Sequence, residues 1–89
     1  MKIEHQIAAA VAAALKELYG VEINAGEVTL EKTKKEFEGH YTFVVFPYLR
    51  ASKKKPEVTA QEVGEYVAAH TDAVASFNVI KGFLNMVVA

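Results

Sequence analysis

Residues 74–89 constrain this chain more than any other stretch. They read as two strands, Val74–Ile80 and Phe83–Val88, with Lys81-Gly82 between them. A two-residue connection leaves room only for a tight hairpin, and the glycine is expected to supply the positive φ such a turn needs. That register pairs Ile80 with Phe83, Asn78 with Asn85 and Phe77 with Met86. Side chains alternate across a strand. One face therefore collects Ala75, Phe77, Val79, Leu84, Met86 and Val88, all apolar, and is the expected core face. The other collects Ser76, Asn78, Ile80, Phe83, Asn85 and Val87. This second face fits two descriptions. One is an ordinary half-exposed hairpin surface with scattered hydrophobes. The other is a platform on which a nucleic-acid base stacks while amides bond its edge.

Composition narrows the setting. The 89 residues are 52% hydrophobic, enough for one small folded domain and too apolar for a disordered chain. There is no cysteine, so disulfides and thiolate metal sites are excluded, which is compatible with the cytosol. No apolar run approaches the roughly 18 residues of a membrane span. The opening Met-Lys-Ile-Glu-His leads into an amphipathic pattern, unlike a secretory signal. The net charge of −1 is balanced, so any attraction to RNA has to come from local patches.

Ile3, Ile7, Val11, Ala14, Leu15 and Leu18 recur at helical spacing and predict a helix over residues 2–19, closed by Gly20. Its alanines at 8–10 and 12–14 favour helix and permit close approach of another element. Its polar face lacks the Lys/Arg belt of a membrane-surface helix. Residues 28–31 alternate as a short strand, and residues 32–36 form a charged turn. A further strand is expected over 39–46, with Tyr41, Phe43 and Val45 on one side and Thr42, Val44 and Phe46 on the other. Apolar residues on both faces suit a central strand. Gly39 permits a bend or a close backbone approach. Pro47 can open a short helix over 48–54, followed by the basic run Lys53-Lys54-Lys55, either a solvated loop or a phosphate contact. Thr59-Ala60-Gln61-Glu62 reads as a capping box, with Val58 and Val63 as its staple, for a helix running to about His70. Val63, Tyr66, Val67 and His70 share one face of it. The order α-β-β-α-α-β-β describes an α+β domain, with about three helices packed on one face of a four-stranded, mainly antiparallel sheet.

No catalytic constellation emerges. His5, His40 and His70 fall on different elements without metal-ligand spacing. Ser52 and Ser76 lack a nucleophile-elbow context, and no glycine-rich phosphate loop is present.

Two segments carry a resemblance. Phe37-Glu38-Gly39-His40-Tyr41-Thr42-Phe43 is similar to the Phe-Gly-Asp-Tyr/Phe strand motif in the N-terminal domain of arginyl-tRNA synthetases. Gly82-Phe83-Leu84-Asn85-Met86 is similar to the Gly-Phe-Ile/Leu-Asn motif that closes the same domain. Their order and separation extend the resemblance over essentially the whole chain. It implies an additional domain ahead of a class I catalytic core, contacting the D-loop at the tRNA elbow. The implied RNA-binding residues are Phe83 as the aromatic and Asn85 as the amide. Asn78, Lys81 and Tyr41 are candidates beside them. A further polar contact of the family falls on Ile80, whose side chain has no hydrogen-bonding atom. His40 stands where an acidic residue is usual, and Ile80-Lys81 replaces the common Gly-Pro. Lys81 adds a cation suited to a phosphate.

The resemblance also implies ATP as a cofactor of the full-length ligase, with none in this fragment, and no catalytic or metal residues here. There is no His-Ile-Gly-His and no Lys-Met-Ser-Lys sequence. The expected partners are tRNA and the downstream catalytic domain of the same chain, with no membrane and no DNA, in the cytoplasm. The chain is expected to be a fragment of a longer protein. The alternative reading is an α+β protein-interaction or small-ligand-binding module that uses the Phe83 sheet face.

Overall fold

Leu84 and Met86 are fully buried because their strand lies in the middle of the sheet with helices against one side. The computed structural model describes residues 3–89. Helix α1 spans Ile3–Tyr19, strand β1 Glu31–Lys32, β2 Tyr41–Val44, helix α2 Leu49–Ser52, α3 Pro56–His70, and strands β3 and β4 Val74–Ile80 and Phe83–Val88. The strands stand in the order β1-β2-β4-β3, and every neighbouring pair is antiparallel. This is the expected α+β architecture. The hairpin register is also as expected, with Ile80 opposite Phe83, Asn78 opposite Asn85 and Phe77 opposite Met86.

The core lies between the sheet and helices α1 and α3. Ile7, Val11, Ala14 and Leu15 of α1 and Val63 and Val67 of α3 are fully buried, with Phe43, Leu84 and Met86 from the strands. Leu18, at the end of the predicted stripe, is instead exposed. Helix α3 sits so close to the sheet that a side chain at Gly64 has no room. A Cβ there would lie 2.6 Å from the Phe77 ring and 2.8 Å from Leu84 Cδ1.

Several local expectations are corrected. Helix α3 begins at Pro56 with Lys55 as its N-cap, not at Thr59. Proline is preset for a first helical turn, so the helix starts three residues before the Thr-x-x-Glu pattern. Thr59 is then an interior residue. Its hydroxyl donates to the Lys55 carbonyl at 3.0 Å and accepts from the Ser52 hydroxyl at 2.8 Å. Val58 is exposed and forms no staple. The first short strand lies at Glu31–Lys32 rather than 28–31, because a 3₁₀ turn at Ala25–Glu27 directs Val28 into the core. Strand β2 ends at Val44, as a 3₁₀ turn containing Pro47 takes over at Phe46–Tyr48. An irregularity between Val74 and Ser76 leaves Ala75 exposed and buries Val74 in its place. At the hairpin tip the positive φ belongs to Lys81, at 56°, and not to Gly82.

One polar cluster ties the helices together. The Tyr19 hydroxyl donates to Glu62 at 2.7 Å, and Lys54 Nζ lies 2.6 Å from the other carboxylate oxygen. Burial and then the Glu62 carboxylate raise the Tyr19 pKa. The hydrogen bond from Lys54, followed by that from Tyr19, lowers the Glu62 pKa.

Two outcomes are expected. Gly64→Ala should destabilise the domain by about 1–3 kcal/mol through overpacking, measured by chemical denaturation. A lowered carboxyl pKa stabilises the fold above the ordinary glutamate value of about 4.3, and that contribution disappears as pH falls through the lowered value. Glu62→Gln should therefore flatten the acid side of the stability profile, and an unchanged profile would show that the cluster contributes nothing.

Candidate nucleic-acid interface

The sheet face turned away from the helices is built from two cross-strand rows. Register places Glu31, Thr42, Asn85 and Asn78 side by side in one row, and Val44, Phe83 and Ile80 in the next. The first row is polar, and its groups bond in sequence. The Thr42 hydroxyl donates to Asn85 Oδ1 at 2.6 Å. A hydroxyl has a single proton, so the Thr33 hydroxyl, 2.9 Å away, donates to Thr42. Asn85 Nδ2 donates to Asn78 Oδ1 at 3.1 Å, and Asn78 Nδ2 donates to the Glu38 carbonyl at 2.6 Å. Both ends of this chain belong to residues 33–40, which cross the row as a strap. Gly39 makes the crossing possible. Its φ is +148°, and a Cβ there would stand 3.0 Å from Thr33 Oγ1 and 3.2 Å from Asn85 Cβ.

The strap changes the standing of the expected amides. Asn85 does face away from the core, yet only 1% of its surface is exposed. Thr42 is buried beside it. Among the described residues no buried side-chain polar atom lacks a partner. Asn85 therefore holds the strap to the sheet, and Asn78 extends the same chain.

The second row stays open. Phe83 is half-buried, while Ile80 opposite it and Phe46 are exposed, at 37% and 46%. Phe46 meets Phe83 edge-to-face, with ring centroids 5.8 Å apart. Its ring covers Gly82, where a Cβ would lie 2.7 Å from Phe46 Cζ. Lys81 is exposed at the turn beside them. Next to Phe83 a pocket of about 70 Å³ reaches under the strap to Phe37 and Thr42. It is far smaller than the roughly 300–1,000 Å³ of small-molecule sites.

Phe83, Asn78, Asn85 and Lys81 thus come together on one side of the hairpin. Tyr41 does not join them. It pairs with Met86 on the helix side, and its hydroxyl donates to Glu4 of α1. The hydrogen bond to Glu4 raises the Tyr41 pKa. Of the basic run, Lys54 is paired with Glu62. Among the described residues no His/Cys/Asp/Glu group is arranged to hold a metal ion. Sequence reading missed Phe46 as a neighbour of Phe83. The signal for it was the alternation that put Phe46 on the side of Thr42 and Val44, but the pairing of Val44 with Phe83 across the sheet came only with the structure.

A family model described as "Arginyl tRNA synthetase N terminal domain" matches residues 5–88. The chain belongs to this family. It is 63% identical over its whole length to the arginine–tRNA ligase of Parabacteroides distasonis, of which it covers 15%. It is 47% identical to that of Porphyromonas gingivalis, again covering 15%. The chain therefore spans about 15% of the length of these relatives. The Thermus thermophilus arginyl-tRNA synthetase structure superposes with a TM-score of 0.80, at 24% identity, over 99% of this chain and 14% of that one, and shows the same fold.

The two motifs that resemble the arginyl-tRNA synthetase N-terminal domain meet in space. Thr42 of the first bonds Asn85 of the second, and Gly39 of the first lies over that same residue. Asn85→Ala should remove the middle of the hydrogen-bond chain and cost about 1–3 kcal/mol. It should also speed tryptic cleavage at Lys34 and Lys35 in the released strap. Unchanged cleavage there would show that the chain does not hold the strap.

Proposed function

We propose that this chain is the tRNA-contacting domain of an arginine–tRNA ligase. It meets the D-loop at the tRNA elbow and positions the tRNA for arginylation, which the downstream catalytic core of the same chain carries out with ATP in the cytoplasm. The observation that carries this reading is Phe83, held half-exposed on the open sheet face beside the Lys81 cation. An aromatic ring fixed by its strand suits an unstacked base, and a nearby cation suits the phosphate that precedes or follows it. Asn78 and Asn85 support the site by fixing the strap beside it. The curated relatives named above are arginine–tRNA ligases, which favours this reading over a protein-docking or small-ligand module. The small pocket beside Phe83 is a further argument against a small ligand.

Contacts this few make a weak isolated binder. Their effect comes from tethering to the catalytic core, which raises the effective concentration of the second contact. In the full-length ligase, Phe83→Ala should lower kcat/KM for tRNA by roughly tenfold, with KM for arginine and ATP little changed. Lys81→Gln should reduce the salt dependence of tRNA binding by about one counterion. Unchanged tRNA kinetics in a folded Phe83→Ala enzyme would contradict the proposal.

A further inference from the structure

Charge is divided between the segments of this chain. All 11 carboxylate side chains fall within residues 1–38 and 57–72. Residues 39–56 and 73–89 hold no acidic residue and carry Arg50, Lys53, Lys54, Lys55 and Lys81. The fold sets these two acid-free segments side by side. Strand β2 pairs with β4, the Val45 N–H donates to the Gly82 carbonyl at 3.0 Å, and the Phe46 ring lies over Gly82. A chain of net charge −1 thus has one cationic region, running from the hairpin tip into α2 and the corner after it. Glu62 neutralises Lys54 at 2.6 Å, and Glu57 follows on the first turn of α3. No other ion pair forms among the described residues, so Arg50, Lys53 and Lys55 are exposed without one.

These cations stand on a fixed corner. Only Lys53, Lys54 and Lys55 connect α2 to α3. Buried Ser52 anchors them, because its hydroxyl bonds Thr59 at 2.8 Å across the corner and accepts from the Lys54 N–H at 3.3 Å. Lys53 ends α2 in a left-handed conformation, at φ 58°, with its N–H on the Leu49 carbonyl at 2.9 Å. Such a helix end favours glycine. Among the described residues, positive φ outside glycine occurs at Lys53 and Lys81 alone, so both strained positions present a cation. A lysine on a long loose loop gives up freedom when it meets a partner, whereas a short anchored corner has less to lose.

We propose that Arg50, Lys53 and Lys55 form a second tRNA contact, which holds phosphates of the RNA backbone by charge and reads no base. The Arg50 guanidinium offers a fork of donors to a phosphate, and the two lysines act as point charges. With this corner the domain meets the tRNA at two places, which fixes an orientation that a single contact leaves free. An acidic protein surface also suits cations, but this region is continuous with Lys81 beside the half-exposed Phe83 ring, a pairing that fits RNA better. The inference rests on the reading of this chain as a tRNA-contacting domain, and not on which hairpin residue makes the other contact.

The test is the salt dependence of arginine tRNA binding to the full-length ligase. A triple variant, Arg50→Gln with Lys53→Gln and Lys55→Gln, should lower the slope of log affinity against log salt by about two to three and weaken binding roughly tenfold at low salt. Its KM for tRNA should rise with kcat little changed. Lys53→Gly suits the left-handed backbone, so it should lose about one unit of slope while the ligase melts no lower than the parent. Lys53→Arg keeps the charge and should keep the parent slope. A parent slope in the triple variant would overturn the corner as a phosphate contact, and a loss that persists in Phe83→Ala would then leave the hairpin reading standing. An unchanged slope with a lowered melting temperature of the triple variant would instead assign the corner to an acidic surface of the ligase itself, against the proposal. If the triple variant and Phe83→Ala both bind tRNA as the parent does, the reading of this chain as a tRNA-contacting domain fails as well.

Discussion

The Asn85 carboxamide lies in the middle of the outer sheet face and is shut away from water, so its polar atoms have to be bonded within the protein. Thr42 supplies a proton to its oxygen, and Asn78 accepts one from its nitrogen. Those partners are themselves bonded to Thr33 and to the Glu38 carbonyl, at the two ends of one loop. A buried amide thus fastens residues 33–40 across half of the sheet. Leaving any member of such a chain unpaired costs about 1–3 kcal/mol, which makes the strap a fixed part of the fold.

The strap divides the outer face. One row of side chains is roofed and polar, and the adjacent row is open and apolar. The open row lies at the hairpin tip, where Lys81 adopts a left-handed conformation, at φ 56°, that costs a non-glycine residue about 1–2 kcal/mol. Gly82 does not relieve that strain. Its value is the missing side chain, which lets the Phe46 ring settle over the backbone and against Phe83. Helices α1 and α3 pack on the opposite face and leave this row open.

Much of this was legible in the sequence. Alternation along residues 74–88 and a two-residue gap were enough for the hairpin register, because a slip by one position would turn Leu84 and Met86 away from the core. The helix over the N-terminal segment followed from its apolar spacing. Other features depend on contacts that local patterns do not reveal. The burial of Asn85 comes from a loop more than forty residues earlier in the chain, which alternation alone cannot place above it. The Thr59 pattern suggested a cap because Thr-x-x-Glu fits one, but Pro56 had already started the helix. Tyr41 lies in the family-like motif, yet strand alternation turns it toward α1 and away from Phe83. Alternation put Phe46 on the side of Thr42 and Val44, and the structure holds it on that face against Phe83, although the strand ends at Val44 and a 3₁₀ segment carries the ring.

The most direct measurement is hydrogen–deuterium exchange on the full-length ligase with and without arginine tRNA. Added tRNA should slow exchange in two segments, around Phe46–Tyr48 and around the Lys81–Gly82 turn, while α1 and the residue 33–40 strap change little. Protection confined to α1 or α3, or to neither of those two segments, would contradict an open aromatic row as the tRNA-facing part of this domain.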